Sequence, residues 1–218
     1  PPVNAPPEEV ASYFFFMVAI DHRTSANARS KKKFEGIVSG KMLHGSDLIY
    51  ALARARQKLE LDFFTAEKMQ HISKKEVAEW LSLGEASIPD PEVRAMLLRD
   101  CGKKLLKHHG GSALELIKAA DGCLIHEDRK GLLQLLAKFK AYGDPLSKKS
   151  YLLVKFLERR KLFEVKDPKN LHIPVDSVLA RIALRTGIIE VRDKELQDKL
   201  KKGLPASESD DREIRSAA

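Results

Sequence analysis

Apolar residues recur along this chain at the three- and four-residue spacing of helices, and almost nowhere at the two-residue spacing of strands. Residues 8–21 read as a helix apolar on most faces, carrying the run Tyr13-Phe14-Phe15-Phe16-Met17-Val18-Ala19-Ile20. Leu48-Ile49-Tyr50-Ala51-Leu52-Ala53 reads as an amphipathic helix that ends in the basic edge Arg54, Arg56 and Lys58. Ser73, with Glu76 three residues on, is a capping-box pattern that opens the helix holding Trp80. Ile88-Pro89-Asp90-Pro91 breaks the chain; Pro91 suits a first helical turn, and the helix it opens is expected to run to about Lys107. Gly110-Gly111 ends that helix and Ser112 caps the next. Further helical stretches are expected over residues 129–138, 147–162, 174–187 and 193–202, separated by the turn Tyr142-Gly143-Asp144-Pro145 and by Pro168-Lys169-Asn170. The reading is an all-α fold of nine or ten helices. It forms one domain over residues 8–218, divisible into lobes of about 8–125 and 126–218 with a cleft between them. Residues 1–7 form a tail, and residues 205–218, polar or small, are expected to be loosely held.

Composition narrows the classes. The longest apolar run is eight residues, against ~20 for a bilayer span, so neither a transmembrane helix nor a membrane partner is expected. No signal-peptide pattern opens the chain. Two cysteines, Cys101 and Cys123, make neither a disulfide framework nor a zinc set, and exclude a four-cysteine iron–sulfur cluster. They suggest buried thiols in a reducing, cytoplasmic compartment. No cofactor and no metal are expected; His108-His109, adjacent at a helix end, makes a poor metal pair. The net charge of +8 favours a polyanionic partner, either DNA or a phosphorylated nucleotide or nucleoside. Lys31-Lys32-Lys33 after Arg29 reads first as a solvated turn and second as a phosphate contact. A monomer is expected.

Two segments carry candidate chemistry. In the first, residues 172–187, Asp176 sits at a helix start, where free backbone N–H groups and the macrodipole stabilise its carboxylate. Val175, Leu179, Ile182 and Ala183 are expected to face the core, with Arg181 and Arg185 on another face. In the second, residues 139–155, a glycine-containing hairpin feeds a helix whose first turn holds Lys148 and Lys149. A helix N-terminus disfavours cations, so the same field lowers an amine's pKa and favours its nucleophilic form. On the residues alone, Asp176 reads first as a plain cap and the lysines as a solvated pair.

The order of these parts resembles the helix-hairpin-helix DNA glycosylase superfamily. The hairpin Gly143-Asp144-Pro145 is followed by Lys148, and then by a helix of the form Pro174-Val175-Asp176-Ser177-x-x-x-Arg181-x-Ala183-x-Arg185-x-Gly187. The archaeal 8-oxoguanine DNA glycosylases are the nearest of those relatives. Two positions depart from the pattern. Val178 stands where many glycosylases have His, and Gly-Asp-Pro-Leu-Ser replaces the usual Gly-x-Gly hairpin.

A second resemblance covers roughly residues 8–216, to the queuosine salvage protein family, itself similar in fold to those glycosylases. Its stretches occur in the same order: Phe14-Phe15-Phe16 with Asp21, Gly45-Ser46-Asp47-Leu48, Ile88-Pro89 with Glu92 and Arg94, and Gly102-Lys103-Lys104-Leu105-Leu106. Gly110-Gly111-Ser112, Phe139 to Asp144, Lys148-Lys149-Ser150, Pro174-Val175-Asp176 and Glu195 to Gly203 follow. Where that family has aromatics of the form Asn-Phe-x-Phe-Trp to sandwich a deazaguanine ring, this chain has Asp21-His22-Arg23-Thr24-Ser25. That stretch is instead similar to a Ser-x-Arg-Thr-Ser turn of DNA glycosylases.

Both resemblances imply cleavage of an N-glycosidic bond. The sugar C1′ becomes an oxocarbenium ion as the base departs, and a nearby carboxylate stabilises that charge or activates water. They imply Asp176 as that carboxylate and Lys148 as a second catalytic group, which if neutral would attack C1′ and form a Schiff base. They mark Asp21, His22, Arg23, Phe16, Asp47, Arg94, Lys149 and Arg181 as substrate-binding candidates. Three functions stay open: hydrolysis of a queuosine-type nucleotide, DNA glycosylase/lyase action on an oxidised purine, and a non-catalytic nucleic-acid-binding module. The order of motifs favours the first; the charge and residues 21–25 favour the second.

Overall fold

The computed structural model describes residues 4–24 and 33–218; Ser25, Arg29, Lys31 and Lys32, named above, lie outside the described residues. The fold is all-α, with eleven α-helices and two minute hairpins among the described residues. Its centre is α1 (Pro7–Ile20), buried from Val10 to Ile20. A helix apolar on every face must be surrounded, and α1 is enclosed by α5 (Pro91–His109), α6 (Ala113–Lys118) and α8 (Lys148–Arg159). Aromatic edges hold this centre. Phe15 stacks on Tyr142 at 5.5 Å and meets Phe139 edge-on at 5.2 Å, while the buried Tyr142 hydroxyl donates to Phe15 O at 2.6 Å.

Between α1 and α5 the chain forms a hairpin of β1 (Glu35–Val38) and β2 (Lys41–His44), then α2 (Gly45–Leu59), α3 (Ala66–Met69) and α4 (Lys74–Trp80), then a two-residue hairpin of β3 (Ser82–Leu83) and β4 (Ala86–Ser87). The first hairpin turns at Ser39-Gly40, both at positive φ (52° and 76°), the turn geometry that matches strand twist. Helix starts follow the sequence signals. Ser73 and Glu76 form the reciprocal capping box, Ser112 accepts from Glu115 N, Pro91 opens α5, and Gly110 closes it in the left-handed region. Gly102 lets α5 touch α3, because a Cβ there would lie 2.5 Å from Gln70 N and 2.7 Å from Ala66 O.

Beyond α7 (Leu132–Leu136) and α8, the chain continues through α9 (Ser177–Arg185), α10 (Lys194–Lys201) and α11 (Glu208–Ala217). Two expectations are corrected here. Residues 205–218 are not a loose tail: Ser207 and Asp210 box the start of α11, and Arg215 pairs with Asp144. Leu179 and Ile182 do not face the core; they are 39% and 48% exposed, and only Ala180 and Ala183 of α9 are buried, because α9 packs chiefly on α11. Cys101 is buried and Cys123 half-buried, both as free thiols. Among the described residues no helix is long and apolar enough to cross a membrane, and no group of three His, Cys, Asp or Glu could hold a metal ion.

Candidate active site

The end of α1 organises the site. A helix C-terminus leaves carbonyls without partners and carries partial negative charge, so it recruits cationic donors. Lys149 Nζ donates to Ala19 O at 2.6 Å, and Arg94 Nη1 donates to Ile20 O. Arg94 is wholly buried. Its other N–H groups go to Pro89 O at 3.2 Å, Arg23 O at 2.6 Å and His22 O at 3.3 Å, and Nη1 faces His22 Nδ1 at 3.4 Å. Arg94 therefore fixes the backbone of residues 20–23, and its donors are used within the protein. Burial lowers its pKa to about 10, opposed by Asp21 and Asp90.

His22 is held neutral. Burial, then Arg94, Lys149, Lys148 and Arg23, push its pKa down to about 3. With Nδ1 facing an Arg94 donor, the ring proton sits on Nε2, an enclosed atom with no protein partner among the described residues. Lys149 is shifted as well: burial, with Lys148 and Arg94, lowers its pKa to about 8 against the pull of Cys101 and Asp21.

Beside this cluster opens a cavity of about 530 Å³. Its apolar wall is Tyr13, Phe14, Leu43, Tyr50 and Phe156, with Phe14 stacked on Phe156 at 4.8 Å. Its polar groups are Asp21, Ser46, Asp47, Arg54 and Arg160. Ser46 Oγ donates to Asp21 Oδ1 at 2.7 Å. Burial, then the charge of Asp21, raise the pKa of Tyr50, whose hydroxyl is enclosed. Two carboxylates, two guanidinium groups and an aromatic wall in this volume suit an aromatic ligand that carries both donors and negative charge.

Lys148 is half-buried at the first position of α8; its backbone N–H donates to Asp144 Oδ2 at 3.1 Å. Asp176 caps α9, with Oδ1 accepting from Val178 N and Leu179 N at 2.9 Å each, while Oδ2 receives no donor among the described residues. Arg215 of α11 links these two helix starts, its Nη2 on Asp144 Oδ2 at 3.0 Å and its Nε on Val175 O at 3.2 Å.

The structure thus gathers Asp21, His22, Arg94, Lys149 and Lys148 at the ends of α1, α5 and α8, places Asp47 in the cavity wall, and ties Asp176 to the Lys148 end through Arg215. It does not bring in the others. Phe16 is fully enclosed in the core, and the rings of the same run that reach the cavity are Tyr13 and Phe14; Arg181 is exposed, and Arg23, exposed too, joins the cluster only through its carbonyl on Arg94 and its charge beside His22. Sequence reasoning passed over Ser46, Tyr50, Phe156, Arg160 and Arg215. A signal existed for most of them: Ser46, Tyr50 and Arg54 lie four apart along α2, and Phe156 and Arg160 four apart at the end of α8.

Residues 2–218 match the family model described as queuosine salvage protein. No curated protein matches the sequence. A match across nearly the whole chain supports a role in queuosine salvage, and the chain belongs to the queuosine salvage protein family.

Proposed function

We propose that this chain is an N-glycosidase of queuosine salvage that hydrolyses the base–sugar bond of a queuosine-type nucleotide. The observation that carries the reading is Asp176: a carboxylate held at a helix start by two amides on one oxygen, with its other oxygen unclaimed. As the C1′–N bond breaks, the bonding pair leaves with the base and positive charge grows on the sugar. The Asp176 carboxylate faces that charge and takes the proton of the water that bonds to C1′. The departing base is protonated by solvent. In the cavity, Phe14, Tyr50 and Phe156 are the rings available to lie against a base, Asp21 and Asp47 accept its N–H groups, and Arg54 and Arg160 meet a phosphate.

The test is incubation with queuosine 5′-phosphate and chromatography of the products. Free base should appear with the wild type and fall at least ~100-fold with Asp176→Asn. Undiminished turnover in that variant removes Asp176 from the mechanism, and no base release by the wild type sinks the reading.

A second reading is a DNA glycosylase/lyase, favoured by the net charge of +8 and by the neighbouring Lys148 and Lys149 at the start of α8. Borohydride trapping on a duplex carrying 8-oxoguanine decides it. A covalent complex lost in Lys148→Gln supports the lyase, and none refutes it.

A further inference from the structure

The segment that carries Asp176 is weakly held by apolar packing. α9 buries only Ala180 and Ala183, and packs chiefly on α11. Its position relative to the Lys148 helix must come from elsewhere. Among the described residues Tyr151 of α8 reaches the incoming chain at Asn170 O (3.1 Å) and His172, but the side chain that touches both helix starts is Arg215. The Arg215 guanidinium, only 17% exposed, donates from Nη2 to Asp144 Oδ2 at 3.0 Å and from Nε to Val175 O at 3.2 Å, and its Nη1 lies 3.6 Å from Asp211 one turn back on α11. Both acceptors are one short step from a proposed catalytic group. Asp144 Oδ2 also accepts the backbone N–H of Lys148, so the same oxygen caps the start of α8 and anchors the guanidinium. Val175 precedes Asp176, whose carboxylate caps α9.

Two adjacent nitrogens of one planar, rigid group thus grip the two strands of chain that enter α8 and α9. Their separation is set by covalent geometry rather than by the packing of flexible side chains. Lysine, a point charge on a flexible stem, cannot reproduce that fork.

We infer that Arg215 is a positioning residue: it sets the distance between the Asp176 and Lys148 helix starts, and through it the geometry of the reacting carboxylate. This rests on the N-glycosidase reading above for its kinetic consequence, but not for its structural one. Geometry of this kind acts on the chemical step more than on ligand affinity, since a misplacement near 1 Å costs up to ~100-fold in rate. The cavity rings and guanidiniums that would hold the nucleotide lie on α1, α2 and the end of α8, and Arg215 does not line that cavity.

The experiment uses the full chain as wild type, Arg215→Lys, Arg215→Gln and Asp144→Asn, with two readouts. The first is hydrogen exchange of the amides of residues 147–150 and 176–180. Both segments should exchange faster together in Arg215→Gln, and Arg215→Lys, which reaches one acceptor, should relax only one of them. Exchange that changes only within α11, or nowhere, overturns the clamp whatever the activity. The second readout is turnover of queuosine 5′-phosphate. Arg215→Gln should lower kcat by roughly 10- to 100-fold and leave KM within about threefold, with Arg215→Lys recovering part of the loss. A raised KM at unchanged kcat overturns the positioning role and makes Arg215 a binding group. If the wild type releases no base while exchange responds as stated, the N-glycosidase reading fails and the clamp stands. If Arg215→Gln does not fold, Arg215→Lys and Asp144→Asn carry both readouts.

Discussion

Lys149→Met tests the electrostatics beneath the cavity directly. The wild-type amine is buried between the end of α1 and the start of α8, and its pKa is lowered from 10.5 to about 8, chiefly by burial. In the unfolded chain the ordinary value returns, so between pH 8 and 10.5 the unfolded state binds more protons than the native state. The sign follows: stability rises with pH across that window, and below it the protein carries the full cost of a charged amine out of water. A shift from 10.5 to about 8 at 1.36 kcal/mol for each unit makes that cost ~3 kcal/mol. Most of it, ~2 kcal/mol, is relieved between pH 7.5 and pH 10. Methionine keeps the length and apolar stem but does not titrate. It forgoes the bond to Ala19 O, about 1 kcal/mol, equally at every pH. The assay is guanidinium unfolding of both proteins at several pH values from 7.5 to 10, reading the difference in unfolding free energy. That difference should move by ~2 kcal/mol in favour of the wild type as pH rises. His22 and Cys101 feel the Lys149 charge, but burial keeps both neutral across this pH range with or without it, so the other titrations cancel. Parallel pH profiles would refute the argument and show Lys149 to be as well hydrated as a surface lysine.

Two further predictions concern the frame around the site. Gly102→Ala places a Cβ 2.5 Å from Gln70 N, a backbone atom that cannot rotate away, so it should cost at least ~2 kcal/mol and lower Tm by roughly 5–10 °C. An unchanged Tm would disprove the α3–α5 contact, since helix propensity alone favours alanine. His22 has a native pKa of about 3 against 6.5, so its contribution is whole above pH 6.5 and is lost as pH falls toward 3. After allowance for water at this part-exposed ring, wild type should lose about 1 kcal/mol more than His22→Gln between pH 6.5 and 5, and a ring resonance titrating near 6.5 would sink the claim.

Much of the frame was legible because helix ends are written in local chemistry. Ser73 with Glu76, Ser112 with Glu115, Pro91 and Gly110 each satisfy or excuse the terminal N–H and C=O groups of their own helix, and no distant residue is needed to read them. Asp176 was placed at a helix start for the same reason. The failures share the opposite property. The polar stretch 205–218 lacks an apolar stripe, and α11 is held to the rest by Arg215, whose partners Asp144 and Val175 lie 71 and 40 residues away. The outward turn of Leu179 and Ile182 depends on what α9 packs against, which periodicity does not report. The cavity wall was half legible: the four-residue spacing of Ser46, Tyr50 and Arg54 marks a face of α2, but only the tertiary fold brings Phe156 across to it. Arg94, marked from sequence as a substrate-binding candidate, directs its donors to backbone carbonyls instead, and that demand is set by Ile20, 74 residues earlier, where local pattern does not report it.

The thin burial of α9 has a consequence for how the molecule opens. The apolar cluster gathered around α1 ends at Phe163 and Val165, whereas α9 contributes two small side chains outside it and α10 and α11 contribute none. Residues 177–217 are therefore expected to behave as a separate unit that opens at lower free energy than the rest. If Asp176 belongs to this unit and the cavity to the other, the competent arrangement exists only in the fraction of molecules where both are engaged. A ligand that touches both sides shifts that equilibrium toward the closed population, and its apparent affinity is lowered by the fraction that is open.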